Sequence, residues 1–235
     1  GYDLPDGAKV LNCTNYYTGK EMAVPLDPTL SPRENSLKYF ERYGKLKRTY
    51  EALTTLTEET RQEMEHLDSI ATSLNIAVSE ADLAAIREEL VRSGYVKKHT
   101  SGKKPQKSRM VSQPFHYISS DGYDIYVGKN NLQNDELTFK VASGNDWWFH
   151  AKGIPGSHVI VKSGNDDLPD RTFEEAARLA AYYSKGRDSE KLEVDYIQKK
   201  FIKKPAAARP GFVIYHTNYS MMIAPDVSGI TLVSS

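Results

Sequence analysis

Apolar side chains recur at alternating intervals of four and three along residues 39–74, which predicts one long helix. The seam consists of Tyr39, Tyr43, Leu46, Tyr50, Leu53, Thr57, Thr60, Met64, Leu67, Ala71 and Leu74. A capping serine, Ser31, a proline at the first helical position and Glu34 at the third predict where the helix begins. Heptad spacing of this kind is typical of a coiled coil, so the helix requires a partner.

A shorter helix is predicted next, opened by Ser79 and closed by Gly94, with apolar positions between residues 83 and 90. It is too short to cover the seam of the first helix. The chain also begins at Gly1 without an initiator methionine. We therefore expect a longer protein, in which a segment that precedes Gly1 supplies the partner helix.

Two strand-like stretches, residues 10–17 and 21–24, precede the long helix and flank the turn Thr18-Gly19-Lys20. This arrangement predicts a β-hairpin. We therefore expect residues 1–30 to form a hairpin tip and residues 31–94 to form coiled-coil helices.

Beyond a linker at residues 95–113, short alternating segments predict a compact domain over residues 114–235. The predicted strands are residues 115–119, 123–127, 147–151, 158–161, 192–202, 212–216 and 221–224. Helices are predicted at residues 130–142 and 172–185. Since strands outnumber helices and hairpins dominate, the fold class is α+β with a largely antiparallel sheet.

The 31 basic and 31 acidic residues cancel, and this neutral balance argues against a nucleic-acid binder. Two stretches without any acid favour one locally. The first, residues 94–110, carries Lys97, Lys98, Lys103, Lys104, Lys107 and Arg109. The second, residues 199–209, carries Lys199, Lys200, Lys203, Lys204 and Arg209. Such patches attract phosphates, and the alternative is that each is a solvated loop.

Several classes of protein are disfavoured by what the chain lacks. Its single cysteine, Cys13, excludes an internal disulfide, and no apolar run approaches the roughly 20 residues of a membrane helix. No nucleophile elbow, phosphate-binding glycine loop or zinc-binding helix motif is present. His150 and His158 share a strand face but have no further ligand at metal spacing. We expect a cytoplasmic protein that is not an enzyme and has no cofactor or metal.

Binding chemistry is concentrated in residues 146–158. Strand alternation places Trp147 and Phe149 on one face and Trp148 and His150 on the other. One face is available for the core. On the other, an exposed Trp148 ring beside His150 would stack on an unpaired base, although the alternative is that both tryptophans belong to the core. Just upstream, the amides of residues 130–134 either cap helix ends or contact base edges and 2′-hydroxyls.

These segments together resemble the NFACT-R domain of the NFACT family. The matching stretches are GKNNLQND at residues 128–135, DWWFHAK at 146–152, IPGSHV at 154–159, AAYYSK at 180–185, KKP at 203–205 and RPGFVIY at 209–215. Upstream, PLDP at residues 25–28, SP at 31–32, EN at 34–35 and YF at 39–40 resemble the tip and returning helix of the family's middle coiled coil.

The resemblance implies a ribosome quality control factor. A full-length member would bind the large ribosomal subunit carrying an obstructed nascent chain, recruit tRNA and direct C-terminal tailing, with alanine in bacteria. Its coiled coil would reach the stalk base, and the last domain would contact rRNA or tRNA. The family's tRNA-selecting N-terminal domain is absent here, so this chain alone is not expected to support tailing. Ala206-Ala207-Ala208 replaces a turn that is often polar or glycine-containing in relatives, which would weaken a phosphate contact there.

The resemblance and the residue patterns together select the candidate RNA-binding residues. These are Lys129, Asn130, Asn131, Gln133, Asn134, Asp135, Trp148, His150, Lys152, Ser157, His158, Lys203, Lys204 and Arg209.

Two other interpretations remain open. Some NFACT proteins are described as surface adhesins that bind fibronectin or fibrinogen, and a purely structural spacer is the third interpretation. We also expect self-association of the chain through its uncovered seam.

Overall fold

The structure is a computed structural model that describes residues 4–5, 7–97, 111–164 and 166–235. It divides into two compact units, Gly1–Glu63 and Met64–Ser235. Most of the first basic stretch, including Lys98, Lys103, Lys104, Lys107 and Arg109, lies outside the described residues. Among the helices that are described, none is long and apolar enough to cross a membrane.

The first unit contains the predicted hairpin. Strands β1 (Val10–Thr14) and β2 (Glu21–Pro25) pair antiparallel, with Val10 opposite Pro25. Strand β1 ends three residues earlier than predicted, because the Asn15 side chain accepts hydrogen bonds from the backbone N–H groups of Tyr17 (2.9 Å) and Thr18 (3.2 Å) and starts the turn.

Helix α1 (Pro32–Ile76) begins where the capping pattern predicts. The Glu34 carboxylate accepts a bond from the Ser31 backbone N–H (2.8 Å), and the Ser31 hydroxyl accepts one from the Glu34 backbone N–H (3.3 Å). The buried Asn35 side chain bonds both the N–H (2.8 Å) and the carbonyl (2.9 Å) of Asp27. These contacts attach the helix start to the segment that leaves the hairpin.

In the second unit, helix α2 (Glu80–Arg92) follows the end of α1. Its capping box joins Ser79 and Asp82, and Ile86 is the buried apolar residue of the helix. Gly94 follows the helix with φ +80°, a left-handed conformation that favours glycine. The second helix is therefore placed as the sequence predicts.

Within the described part of the chain, seven strands form one antiparallel sheet in the order β8-β7-β5-β6-β4-β3-β9. They are β3 (Phe115–Ile118), β4 (Asp124–Val127), β5 (Trp147–Ala151), β6 (Val159–Val161), β7 (Leu192–Gln198), β8 (Tyr219–Ile223) and β9 (Thr231–Ser234). Helices are α3 (Asn131–Glu136), which continues into a π-helical turn (Leu137–Val141), and α4 (Asp170–Tyr182). The predicted α+β class is confirmed.

The two sheet faces have different covers. Helix α4 packs on the face that carries Phe149 and Val194. We call the opposite side the outer face; its core consists of Leu137, Ala142, Trp148, Ile160, Ile197 and Ile202. Partly buried Val213 and Tyr215 pack against that core. Residues late in the chain therefore cover a face formed by β5, β6 and β7.

Two strand predictions are wrong at these later residues. Residues 192–202 leave the strand after Gln198, because a 3-10 turn (Lys199–Phe201) bonds its N–H groups to the carbonyls of Asp146 (2.9 Å) and Gly144 (3.0 Å). Residues 212–216 contribute only a single antiparallel bridge, Lys203 to Ile214, instead of a strand. Strand β9 was not predicted.

Candidate RNA interface

The predicted amide cluster is buried. Asn130 is the N-cap of α3 and accepts a bond from the Gln133 backbone N–H (3.0 Å). The Asn134 side chain accepts from the His158 backbone N–H (3.0 Å) and donates to the Gly156 carbonyl (3.3 Å). Of the two functions left open for these amides, the structure shows capping and cross-linking. All four amide side chains are buried, which argues against direct contact with base edges.

Lys129 is also buried and points away from solvent. Its Nζ lies 3.3 Å from both carboxylate oxygens of the fully buried Asp82. Burial by itself raises the pKa of Asp82, but hydrogen bonds from Ser112, Val78 and Ser79 and the charge of Lys129 together hold that pKa below its usual value. A lysine that neutralises a buried carboxylate is not available to a phosphate.

Asn131 connects α3 to the helices before it. Its Nδ2 donates to Glu89 Oε1 (2.8 Å) and to the Ser69 hydroxyl (2.8 Å). His66 Nε2 lies 3.1 Å from the same Glu89 oxygen. The polar residues at the start of α3 therefore join the sheet domain to α1 and α2 within the second unit.

The expectation of an exposed Trp148 ring is wrong. Trp148 is 0% exposed, and its ring lies within 5.1–5.6 Å (centroid to centroid) of the rings of His150, His158 and Tyr215. The alternation of faces is as predicted, but residues 202–215 fold over the outer face and exclude solvent. The core alternative holds for this tryptophan.

Both predicted histidines lie beside Trp148, with His158 buried and His150 partly exposed. Burial lowers the pKa of His150 to about 4, and it lowers the pKa of His158 well below the usual value. His158 Nδ1 lies 2.8 Å from the Thr138 hydroxyl. At neutral pH neither imidazole carries a positive charge toward a phosphate.

Ser157 and Lys152 complete the predicted stretch. The buried Ser157 hydroxyl donates to the Gly128 carbonyl, whereas Lys152 is at the surface. The Lys152 ammonium lies 2.7 Å from the Glu193 carboxylate, and this bond raises its pKa. Its charge is therefore shared with an acid.

The second basic stretch presents a different arrangement, which we call the basic ribbon (residues 199–214). Lys203 and Ile214 exchange two backbone hydrogen bonds of 2.9 Å. Ile202 and Val213 face the outer-face core, while Phe201, Lys203, Phe212 and Ile214 are exposed. The ribbon therefore has one face that packs and one face that meets solvent.

Asp135 holds two points of the ribbon in place. Its carboxylate pairs with the Lys204 ammonium and accepts a bond from the Gly211 backbone N–H (2.9 Å). Asp135 and Lys204 are thus structural partners instead of independent ligands. Arg209 contacts the Tyr95 hydroxyl at 3.4 Å.

Lys203 forms no ion pair with any other residue that the structure describes, and its side chain is exposed. Lys199 and Lys200 lie at the start of the ribbon, with the Lys200 ammonium 5.2 Å from the Phe201 ring centroid. Sequence reasoning missed the aromatic residues beside these lysines. The runs FIK at residues 201–203 and FVIY at 212–215 do not alternate apolar and polar residues, so the sequence held no signal that Phe201 and Phe212 are exposed.

Comparison with known proteins finds two family models along the chain. The family model "NFACT N-terminal and middle domains" matches residues 1–109, and "NFACT protein RNA binding domain" matches residues 113–216. The chain is 44% identical over 226 residues to the Rqc2 homolog RqcH of Streptococcus pneumoniae, covering 96% of this chain and 40% of that protein. It is 38% identical over 232 residues to RqcH of Bacillus subtilis, covering 97% and 40%. It therefore spans about two fifths of the length of these curated relatives.

A solved structure is also similar. The C-terminal part of the fibronectin/fibrinogen-binding protein from Streptococcus suis matches with a TM-score of 0.74 and 43% identity, over 84% of this chain and 77% of that one. The family models account for nearly all of the sequence and the solved relative for most of the fold. The chain belongs to the NFACT family and carries the domain that the family's own model describes as RNA-binding.

Proposed function

We propose that this chain is the RNA-binding part of a ribosome quality control factor, and that it acts by binding instead of catalysis. The observation that carries the proposal is the basic ribbon, where Lys199, Lys200 and Lys203 stand on a fixed backbone without a neighbouring acid in their own segment. Similarity to proteins named RqcH and the match to an RNA-binding domain model support it.

The partners proposed are the large ribosomal subunit, through its rRNA, and tRNA. Nucleic-acid backbones attract clustered lysines, and counterion release makes such binding strongly dependent on salt. Tailing of nascent chains is proposed only for a longer protein, because this chain spans 40% of the relatives that it matches. The cytoplasm is the compartment in which this proposal applies.

The test is salt-dependent co-sedimentation of the chain with purified large ribosomal subunits. Replacing Lys199, Lys200 and Lys203 by Gln together should weaken binding and reduce the slope of log K against log salt by about 2, since each lost phosphate contact contributes roughly 0.7–0.9. A control variant with Lys140, Arg171 and Lys191 replaced by Gln has the same charge change on exposed residues outside both the ribbon and the coiled-coil arm. Equal losses in both variants would contradict a specific role for the ribbon.

A second candidate is the adhesin function, favoured by one observation. The solved relative at 43% identity is named a fibronectin/fibrinogen-binding protein. Surface plasmon resonance with immobilised fibronectin and fibrinogen separates the two functions. Saturable binding to either protein, combined with no sedimentation with ribosomal subunits, would favour the adhesin.

Self-association is proposed from the exposed seam of α1. Tyr43, Leu46, Tyr50 and Leu53 are all more than half exposed. In an antiparallel pair of copies, the basic stretch around Lys47 would face the acidic stretch around Glu59. Light scattering over a concentration series measures the mass, and a strictly monomeric chain at high concentration contradicts this proposal.

A further inference from the structure

Three apolar side chains are exposed together on the basic ribbon. Phe201 is 52% exposed, Phe212 is 53% exposed and Ile214 is 39% exposed. Scattered exposed apolar residues are ordinary, but here two aromatic rings and an aliphatic chain accompany lysines in one short segment. Exposed aromatic rings beside basic side chains are the combination with which proteins bind single-stranded nucleic acids.

The backbone places these side chains on the same side. Lys203 and Ile214 are directly opposite in an antiparallel bridge, so their side chains point to the same face. Burial places Phe201 and Phe212 at the same solvent-facing surface. Ile202 and Val213, their neighbours in sequence, face the outer-face core, whereas Phe201 and Phe212 are exposed.

The other side of the ribbon is held in place. Tyr215 packs on the Trp148 ring and donates from its hydroxyl to Asp195 (2.9 Å). Asp135 binds both Lys204 and the Gly211 N–H. A surface that is fixed before its ligand arrives loses little conformational entropy on binding.

We propose that the ribbon binds single-stranded RNA, whose unpaired bases stack on Phe201 and Phe212 while Lys199, Lys200 and Lys203 contact its phosphates. This inference rests on the proposed RNA-binding function and specifies the class of RNA. Every unpaired base offers an aromatic face, whereas bases inside a duplex are already stacked on one another. The sequence assigned base stacking to Trp148, which is buried. The structure instead offers the exposed rings of Phe201 and Phe212 for that role.

The alternation of rings and lysines favours RNA over a protein partner. A protein-binding patch is depleted in lysine at its centre, whereas Lys203 lies between the exposed apolar residues of this ribbon. The Lys200 ammonium already lies over the Phe201 ring. An ammonium beside an aromatic face is the arrangement that a nucleotide, with a phosphate next to a base, complements.

The experiment measures fluorescence anisotropy of the full 235-residue chain with three labelled probes: 12-nucleotide oligouridylate, 12-nucleotide oligoadenylate and a blunt 12-base-pair RNA duplex. Phe201→Ala and Phe212→Ala should each bind the single strands about 5-fold to 100-fold more weakly. The salt slope should stay unchanged, because no charge is removed. Phe201→Trp should retain or strengthen binding.

Two controls separate stacking from other causes. Phe201→Leu keeps an apolar side chain without a π-face, so it should lose most of what Phe201→Ala loses. Tyr16→Ala removes an aromatic residue that is 93% exposed in the first unit, and it should change nothing. Melting curves by circular dichroism confirm that each variant folds.

The outcomes are distinct. If the wild-type chain binds none of the probes and does not sediment with ribosomal subunits, the proposed RNA-binding function is overturned. If it binds RNA but both Ala variants bind the single strands as the wild type does, stacking is overturned and the apolar face is left for a protein. Full binding by Phe201→Leu, or equal binding of duplex and single strands, also overturns it.

Discussion

Two short segments of the second unit carry similar polar residues but use them in opposite ways. Residues 129–134 contain a lysine and four side-chain amides, and all five of these side chains are buried. The basic ribbon contains lysines of the same type and exposes Lys203 on one side of a fixed backbone. Lys129 neutralises Asp82, whereas Lys203 forms no ion pair with any described residue.

The difference shows that residue type alone does not identify an interface. A lysine can leave water when a carboxylate and further hydrogen bonds replace its hydration, as they do around Asp82. Phenylalanine can remain in water where its neighbours in sequence already fill the core, as Ile202 does beside Phe201. Candidate ligands are therefore distinguished by whether their partners lie within the protein.

The largest effect on stability is expected from removing a buried ring, in comparison with removing an exposed one. Trp148→Ala should lower the free energy of unfolding by about 3–5 kcal/mol, because it leaves a cavity in the outer-face core. Phe201→Ala should change it by no more than about 0.5 kcal/mol, as expected for an exposed residue. Urea denaturation measures both values. Similar values for the two variants would contradict the conclusion that Trp148 belongs to the core and Phe201 to an exposed surface.

The second comparison uses two lysines. Lys129→Met should lower the free energy of unfolding by about 3 kcal/mol, because the buried Asp82 loses its countercharge. Lys203→Met should leave stability within about 0.5 kcal/mol and weaken RNA binding. Thermal melting and anisotropy on the same two variants check this. A stable Lys129→Met that loses RNA affinity would show that Lys129 is a ligand after all.

The third prediction concerns acid. His150 has a folded-state pKa of about 4, below the value of about 6.5 in the unfolded chain, so the unfolded chain takes up the proton first as pH falls. Its contribution to stability is complete above pH 6.5 and is lost progressively between pH 6.5 and 4. His150 alone should lower the free energy of unfolding by roughly 2 kcal/mol from pH 7 to pH 5, and His158, whose pKa is also lowered, adds to that loss.

The matched variants test the origin of this loss. His150→Gln cannot take up the proton, so its unfolding free energy should depend less on pH over that interval. Phe201→Ala, on the exposed ribbon, should keep the wild-type dependence. An identical pH profile for His150→Gln and the wild type would show that His150 is not the group that titrates.

The smallest effect is expected within the ribbon. Ala207 has φ +60°, a left-handed conformation that costs an alanine more than a glycine. Ala207→Gly should raise the melting temperature, corresponding to less than about 1 kcal/mol, and Ala206→Gly should not. An increase for Ala206→Gly alone would contradict the strain at Ala207.

The hairpin, the capped long helix, the second helix and the α+β class were all predictable, because each depends on residues close together in sequence. The burial of Trp148 was not, since it depends on a cover more than 50 residues later, around Ile202 and Tyr215. Asn131 likewise finds its acceptor on Glu89, 42 residues earlier. Local alternation predicts which side chains share a face, but long-range packing decides which face is solvated.

The pair of contacts made by Asp135 has a consequence for chain length. One carboxylate holds residues 204 and 211, so residues 205–210 form a loop closed at its base by a non-covalent clamp. The entropy of closing such a loop rises only logarithmically, by about 0.6 kcal/mol for each doubling of its length. The loop is therefore a place where residues can be inserted, by evolution or by experiment, while the rings and lysines beside it keep their positions. A cysteine inserted there would carry a fluorophore.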